Sequence, residues 1–310
     1  CHTKFIDETP ELFDITDSRD RATRVLKYIA GIQVQNPDAE RREYPAPRYP
    51  QAEREVTPEM GLKYLLDTQG PEAVSKWVLA QKSLLITDTT MRDAHQSLLS
   101  TRMRTRDMVK GAEGTADILA GCFSLEMWGG ATPFDTAYRF LYESPWERLT
   151  MLREKIPNIP FQMLLRGSNL VGYASYPDNL VRAFIDESAK SGIDVFRVFD
   201  SLNWIPSMET AMEAVLKTGK LLEATVCYTG DILDPARDRY TLKYYVDFAK
   251  ELERRGAHTL CIKDMSGLLK PYGAKKLVET LKQEIGIPIH LHTHNTTDNQ
   301  IASYLLAAEA

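Results

Sequence analysis

From residue 84 onward, apolar runs of four to six residues alternate with amphipathic stretches of helical period. The runs at 84–87, 124–127, 161–165, 195–199, 223–227, 259–262 and 289–291 predict strands. The stretches at 145–155, 177–191, 208–218, 242–255 and 272–284 predict helices between them. Gly192, Gly219, Gly256 and Gly286 stand where helices end and are expected to take left-handed caps. Repeated βα units with near-continuous apolar strands imply a parallel sheet covered on both faces. Seven strands followed by a helix that breaks off at the C-terminus predict a (β/α)8 TIM barrel whose last part is missing. The alternative is a doubly wound open sheet, but no Gly-rich phosphate loop follows the first strand.

The first eighty residues have a different texture. An amphipathic helix is expected over 20–30 and a brief strand over 31–35, then a linker rich in Pro, Arg and Glu over 36–51. Helices follow over 57–69 and 70–81, the first with Thr57 as N-cap and Pro58 in its first turn. The expected division is 1–50, a helical lead-in at 51–82, and the barrel at 83–310, truncated after strand seven. A start at Cys1 without Met and an apparently unfinished last helix read as a piece of a larger polypeptide.

Composition narrows the function classes. A net charge of -5 and no long Lys/Arg run argue against nucleic acid as a partner. No apolar stretch approaches membrane-spanning length, so no membrane partner is expected. Cys1, Cys122, Cys227 and Cys261 lack paired spacing. Three of them lie in or beside apolar runs, which suits reduced thiols in a cytosolic compartment.

In such barrels the chemistry collects at the C-terminal ends of the strands. Strand seven ends in His290-Leu291-His292-Thr293-His294, half of the chain's six histidines. Side chains alternate along a strand, so His292 and His294 share a face and could meet one metal ion. The competing reading is a polar strand end with hydrogen-bonded histidines. The other ends are also polar, whereas the strand bodies read as apolar. Asp93 is the favoured carboxylate ligand, with Asp88 the alternative. Lys263, as an ammonium, would repel a cation. It either pairs with Asp264 or Asp88, or takes up carbon dioxide and becomes a carbamate ligand. Arg92 and Arg166 suit a small carboxylate substrate, since the guanidinium fork matches carboxylate geometry; pairing with rim aspartates is the alternative. Gln96 could donate to a carbonyl or enolate oxygen. His95, Tyr173 and Asp135 are weaker candidates, and His2 and His258 are expected at the surface.

The segments 88–97, 164–167, 199–203, 228–233, 263–265 and 290–294 together resemble the carboxyltransferase domain of the pyruvate carboxylase family. Upstream, 5–13 and 20–23 are similar to that family's allosteric and tetramerisation region, which implies that 1–50 belongs to it. The resemblance implies that carboxybiotin, brought by a swinging carrier domain, gives up carbon dioxide to the enolate of pyruvate, forming oxaloacetate. It implies metal ligation by Asp93, carbamylated Lys263, His292 and His294, with manganese or zinc as the divalent ion and magnesium or cobalt as alternatives. It implies that Arg92, Gln96 and Arg166 hold pyruvate, and that Asp135 and Tyr173 line the biotin side. A biotinylated carrier domain, a homotetramer and a bacterial cytoplasm rather than a mitochondrial matrix follow from the same source. Two departures stand out: Pro133 interrupts the run before Asp135, and Asn295-Thr296-Thr297-Asp298-Asn299 replaces a Gly-containing turn after His294. The family's proton-shuttling threonine lies in a later segment. Rival readings are a metal-dependent aldol or Claisen barrel, which would not use Lys263 as a ligand, and a non-catalytic assembly module.

Overall fold

The apolar runs form seven parallel strands: β1 Thr87–Asp88, β2 Ser124–Trp128, β3 Phe161–Leu165, β4 Val195–Val198, β5 Leu221–Cys227, β6 Thr259–Asp264 and β7 Ile289–Thr293. They hydrogen-bond strictly in chain order, β1 to β7. A doubly wound sheet would reverse direction at a switch point, so this order identifies seven successive units of a (β/α)8 barrel. The computed structural model describes residues 23–35, 45, 46, 48–94, 103–129 and 132–310, without the side chains of 32–35 and 132–135.

The helices are α1 Thr23–Gln35, α2 Leu62–Gln69, α3 Pro71–Leu79, α4 Thr90–Asp93, α5 Thr105–Ile118 and α6 Pro145–Lys155. They continue with α7 Asp178–Lys190, α8 Ile205–Lys217, α9 Leu242–Arg254, α10 Pro271–Glu284 and α11 Gln300–Glu309. Local chemistry sets several starts. Ser144 accepts from the Glu147 N–H ahead of α6, and Thr241 accepts from the Tyr244 N–H at α9. Gly192, Gly219 and Gly256 adopt positive φ after α7, α8 and α9. Gly286 does not: α10 ends in extended Ile285, and the Gly286 N–H instead donates to Glu253 at 2.7 Å.

Residues Cys1–Arg48 and Tyr49–Ala310 form two compact units. In the first, the strand expected at 31–35 is helix. The Val25, Leu26, Ile29, Ile32 spacing carries helical period through Gly31, and no proline intervenes before Pro37. In the second, the helix expected over 57–69 breaks at Gly61, whose backbone is extended. A β-carbon there would meet the Asn158 carbonyl oxygen at 2.2 Å, so only glycine allows the approach. The same carbonyl accepts from the Lys63 N–H at 3.0 Å.

Strand parity divides the barrel. Leu125, Met127, Phe161, Met163, Leu165, Phe196, Val198, Leu222, Ala224, Val226, Leu260 and Ile262 face outward into one large core with the helices. The alternate positions do not continue the apolar pattern. Ser124, Glu126, Gln162, Arg197, Glu223, Thr225, Thr259 and Lys263 are all buried. The expectation of apolar strand bodies is therefore corrected: the barrel interior is largely polar, and hydrogen bonds offset much of its desolvation, with Gln162 Nε2 and Thr225 Oγ1 left without a partner among the described residues. At the N-terminal end, Leu62, Leu66 and Val74 of α2 and α3 pack on Phe123, Val195 and Leu221 as a separate plug. His258 is also buried there rather than at the surface, because its Nδ1 accepts from the Leu222 N–H at 2.9 Å.

Candidate active site

At the C-terminal rim, β6 and β7 run in a register that pairs Lys263 with His292. His292 and His294 lie on one face, their rings 5.1 Å apart and nearly perpendicular. Lys263 Nζ lies 3.4 Å from His294 Nε2 and 5.4 Å from the centre of the Phe199 ring. Among the described residues no carboxylate pairs with Lys263. Asp264 is occupied as a loop cap, accepting from the Leu268 and Leu269 N–H groups at 2.9 and 3.0 Å. Asp88, the alternative partner and ligand, is likewise tied to Thr90, through its backbone N–H and its hydroxyl.

Burial drives Lys263 below the usual ammonium range, and the Arg197 guanidinium pushes the same way. The same factors lower His292: burial first, then the charges of Arg197 and Lys263. His294 is lowered by burial, Lys263 and Arg92, against the pull of Asp93 and Glu126. Both imidazoles are thus held neutral, the form that ligates metals. His292 Nε2 is sealed from solvent and has no hydrogen-bond partner among the described residues, a buried polar atom left to be explained. Cys227 and Cys261 are pushed by burial to about 12, so neither offers a thiolate.

Across the rim, Arg92 sits between two carboxylates. Its Nη1 donates to Asp93 at 2.8 Å, while Nε and Nη2 donate to Glu126 at 3.1 and 2.7 Å. Asp93 is consequently committed to its neighbour's guanidinium. Among the described residues no three His, Cys, Asp or Glu groups gather at metal-binding spacing. The ligand set expected of Asp93, His292 and His294 is therefore not assembled around one point in this structure. The residues still fit a divalent ion in chemistry: two neutral imidazoles, one with a vacant buried nitrogen, and an amine of lowered basicity.

Arg166 directly follows β3 and donates through Nη1 to the Gly172 carbonyl at 3.1 Å. Tyr173 is exposed, its ring 5.0 Å from the Arg166 guanidinium carbon. Asp135 falls in a π-helical stretch, Thr132–Phe140, and its side chain lies outside the described residues. Gln96 and His95 also lie outside them. After His294, Asn295 and Asp298 take positive φ, with Asn295 Nδ2 donating to Asp298 at 3.2 Å. Asn and Asp are the side chains that best tolerate that conformation in place of glycine.

Beneath the rim lies a buried cluster that reading by strand ends missed. Arg197 on β4 pairs through Nε with Glu223 on β5. The other Glu223 oxygen lies 2.8 Å from His290 Nδ1 and accepts from the Thr259 hydroxyl at 3.3 Å. Arg197 Nη2 lies 2.9 Å from His290 Nδ1, and Nη1 reaches His292 Nδ1 at 3.5 Å. The available signal was a charge inside an apolar run with the parity of the histidines.

The parallel barrel thus carries a basic and imidazole-bearing rim over a polar interior, and the comparisons match it to the carboxyltransferase type of TIM barrel. No family model matches the chain. The chain is 56% identical over 316 residues to pyruvate carboxylase of Staphylococcus aureus, covering 99% of this chain and 27% of that protein. It is 49% identical to the mitochondrial pyruvate carboxylase of Homo sapiens, covering 99% of this chain and 26% of the relative. The carboxyl transferase domain of Rhizobium etli pyruvate carboxylase with pyruvate superposes with a TM-score of 0.81 at 51% identity, covering 94% of this chain and 50% of that one. The same domain with pyruvate and biocytin gives 0.81, with coverage of 94% and 49%. This chain belongs to the pyruvate carboxylase family, in its carboxyltransferase region. It spans about a quarter of the length of the curated relatives it matches.

Proposed function

We propose that the chain carries the carboxyl-transfer step of a biotin-dependent pyruvate carboxylase, converting pyruvate to oxaloacetate. The observation that carries this reading is the meeting of Lys263, His292 and His294 at the ends of β6 and β7. The Rhizobium etli relative with pyruvate and biocytin supports the substrate class.

In this reading the Arg166 fork, steadied by the Gly172 carbonyl, takes the carboxylate of pyruvate. Arg92, fixed by Glu126, and Gln96 donate toward the keto oxygen and offset the charge that develops there as the enolate forms. The carboxyl group arrives on the biotin of a carrier domain, on the side lined by Asp135 and Tyr173. Asp93, Lys263, His292 and His294 would hold a divalent ion, manganese or zinc first, which supplies Lewis-acid polarisation of that oxygen. Lys263 enters such a set by gaining carbon dioxide at its amine and losing a proton, which turns a repelling cation into an oxygen donor.

The reading extends to a homotetramer in the full-length protein and to a bacterial cytoplasm, with no nucleic-acid or membrane partner. Residues 1–50 would belong to the allosteric and tetramerisation segment, 51–82 to the lead-in and 83–310 to the barrel. The test is to supply the full-length protein with ATP, bicarbonate and pyruvate. Oxaloacetate formation that avidin blocks is expected; none, from a folded and biotinylated protein, would overturn the assignment.

A further inference from the structure

The Arg197–Glu223–His290 cluster joins β4, β5 and β7 in the barrel interior, with Thr259 adding β6. Arg197 and Glu223 are almost wholly buried, at 2% and 0% side-chain exposure. Burying such a pair is a poor route to stability, because apolar residues of similar volume are usually as good or better. A second observation gives the pair a purpose. Along β7, Ile289 and Leu291 pack outward against the helix-facing core while His290 and His292 alternate inward, so the register of this one strand decides which side chains reach the interior. A slip of one residue would turn His292 outward and Leu291 inward. The cluster opposes that slip, because His290 must face inward for its Nδ1 to lie against the Arg197–Glu223 pair, where it can donate to the Glu223 carboxylate at 2.8 Å.

We propose that Arg197 and Glu223 are positioning residues: by clamping His290 they set the register of β7 and bring His292 and His294 to the rim. This rests on the metal-centre reading above. The clamp acts two residues below His292, while the second Arg197 nitrogen lies against the His292 ring. It thus fixes where the strand sits as well as which face the rings present.

The test replaces the clamp with apolar groups in the full-length protein and separates folding from ion binding. Arg197→Met/Glu223→Leu removes both charges together. Arg197→Met/Glu223→Leu/His290→Phe also removes the nitrogen left behind, should the double variant fail to fold. Thermal melting and Mn2+ affinity, the latter by electron paramagnetic resonance, are measured on each. The expected result is a melting temperature close to wild type with Mn2+ affinity lowered roughly 10–100-fold, as for other outer groups that orient metal ligands. A folded variant with wild-type affinity overturns the proposal. Parallel loss of melting temperature and affinity, or loss of the fold in both variants, also overturns it, since the cluster would then be ordinary core support. Failure of the wild-type protein to bind Mn2+ or any other divalent ion would sink the metal-centre reading instead.

Discussion

Glu126 on β2 grips Arg92 from inside the barrel, one carboxylate oxygen accepting from Nε at 3.1 Å and from Nη2 at 2.7 Å. Glu126 is 1% exposed and Arg92 13%, so the pair is shielded from solvent on its inner side. The guanidinium therefore has a defined place at the rim, with its remaining edge directed to Asp93. Glu126→Gln keeps the shape and removes the charge. It is expected to lower pyruvate carboxylation on the order of 100-fold, the scale of a small misplacement of a substrate-holding group. Bicarbonate-dependent ATP cleavage, measured in parallel, should stay near wild type. Equal loss of both would make Glu126 a general support of the fold.

Arg166 makes a sharper case, because among the described residues its guanidinium donates through Nη1 alone, to a backbone carbonyl, while it carries five donors in a planar fork. Arg166→Ala should lower oxaloacetate formation by orders of magnitude while leaving ATP cleavage largely intact. Arg166→Lys should not rescue it, since a single ammonium cannot bind a carboxylate in two-point fashion. Steady-state kinetics with varied pyruvate checks both variants. Restoration by lysine would mean that charge alone suffices.

Much of the barrel could be read from the chain, because its outward strand positions follow period two and its helices period 3.6. The expected bounds of β3 and α6 match those observed. The interior was harder. Arg197 and Glu223 each stand alone between apolar neighbours, and a local window averages a single charge away. Their partners lie 26 and 67 residues further along the chain, so only the assembled sheet brings them together. His258 was misread for a related reason: its acceptor role toward Leu222 is a contact across 36 residues. At the rim, Lys263 and the histidines were legible because the C-terminal ends of barrel strands have a known place in the fold. The attachment of Asp93 to Arg92 was not, since it depends on how the short α4 turn aims two adjacent side chains.

At the opposite end of the barrel, Asp194 should dominate the acid limb of stability. Its carboxylate is fully buried and accepts from Arg153 at 2.5 Å, Lys220 at 2.9 Å, Lys63 at 3.3 Å and the Phe161 N–H at 3.0 Å. Burial alone would raise its pKa, but the three cations and the amide hold it at about 2, below the ordinary 3.8. A lowered carboxylate pKa stabilises the fold fully above the unfolded value and loses that contribution as pH falls from about 4 through 2. The contribution is about 2 kcal/mol. Asp194→Asn should destabilise by about 3–5 kcal/mol at neutral pH, because three cations lose their buried partner. Denaturant unfolding across pH should also show a flatter slope below pH 4 in the variant. An unchanged slope would assign the acid sensitivity to other carboxylates.

Lys263 decides between the two chemistries open to the rim. The residue is 3% exposed, and its amine lies beside the β7 imidazoles with no carboxylate partner among the described residues. A permanent ammonium there would hold a divalent ion off; an amine of lowered basicity is instead nucleophilic toward carbon dioxide. Native mass spectrometry of the metal-loaded protein should show one added carbon dioxide, lost on acidification, and peptide mapping after trapping should localise it to Lys263. Lys263→Ala should abolish pyruvate carboxylation and lower metal affinity, and a short carboxylic acid added at high concentration should restore part of both by filling the space of the carbamate. The rescue separates a missing oxygen ligand from a damaged fold, because a misfolded rim would not respond to a small acid. A bare lysine beside a filled metal site would remove Lys263 from the ligand set and return it to a purely electrostatic role.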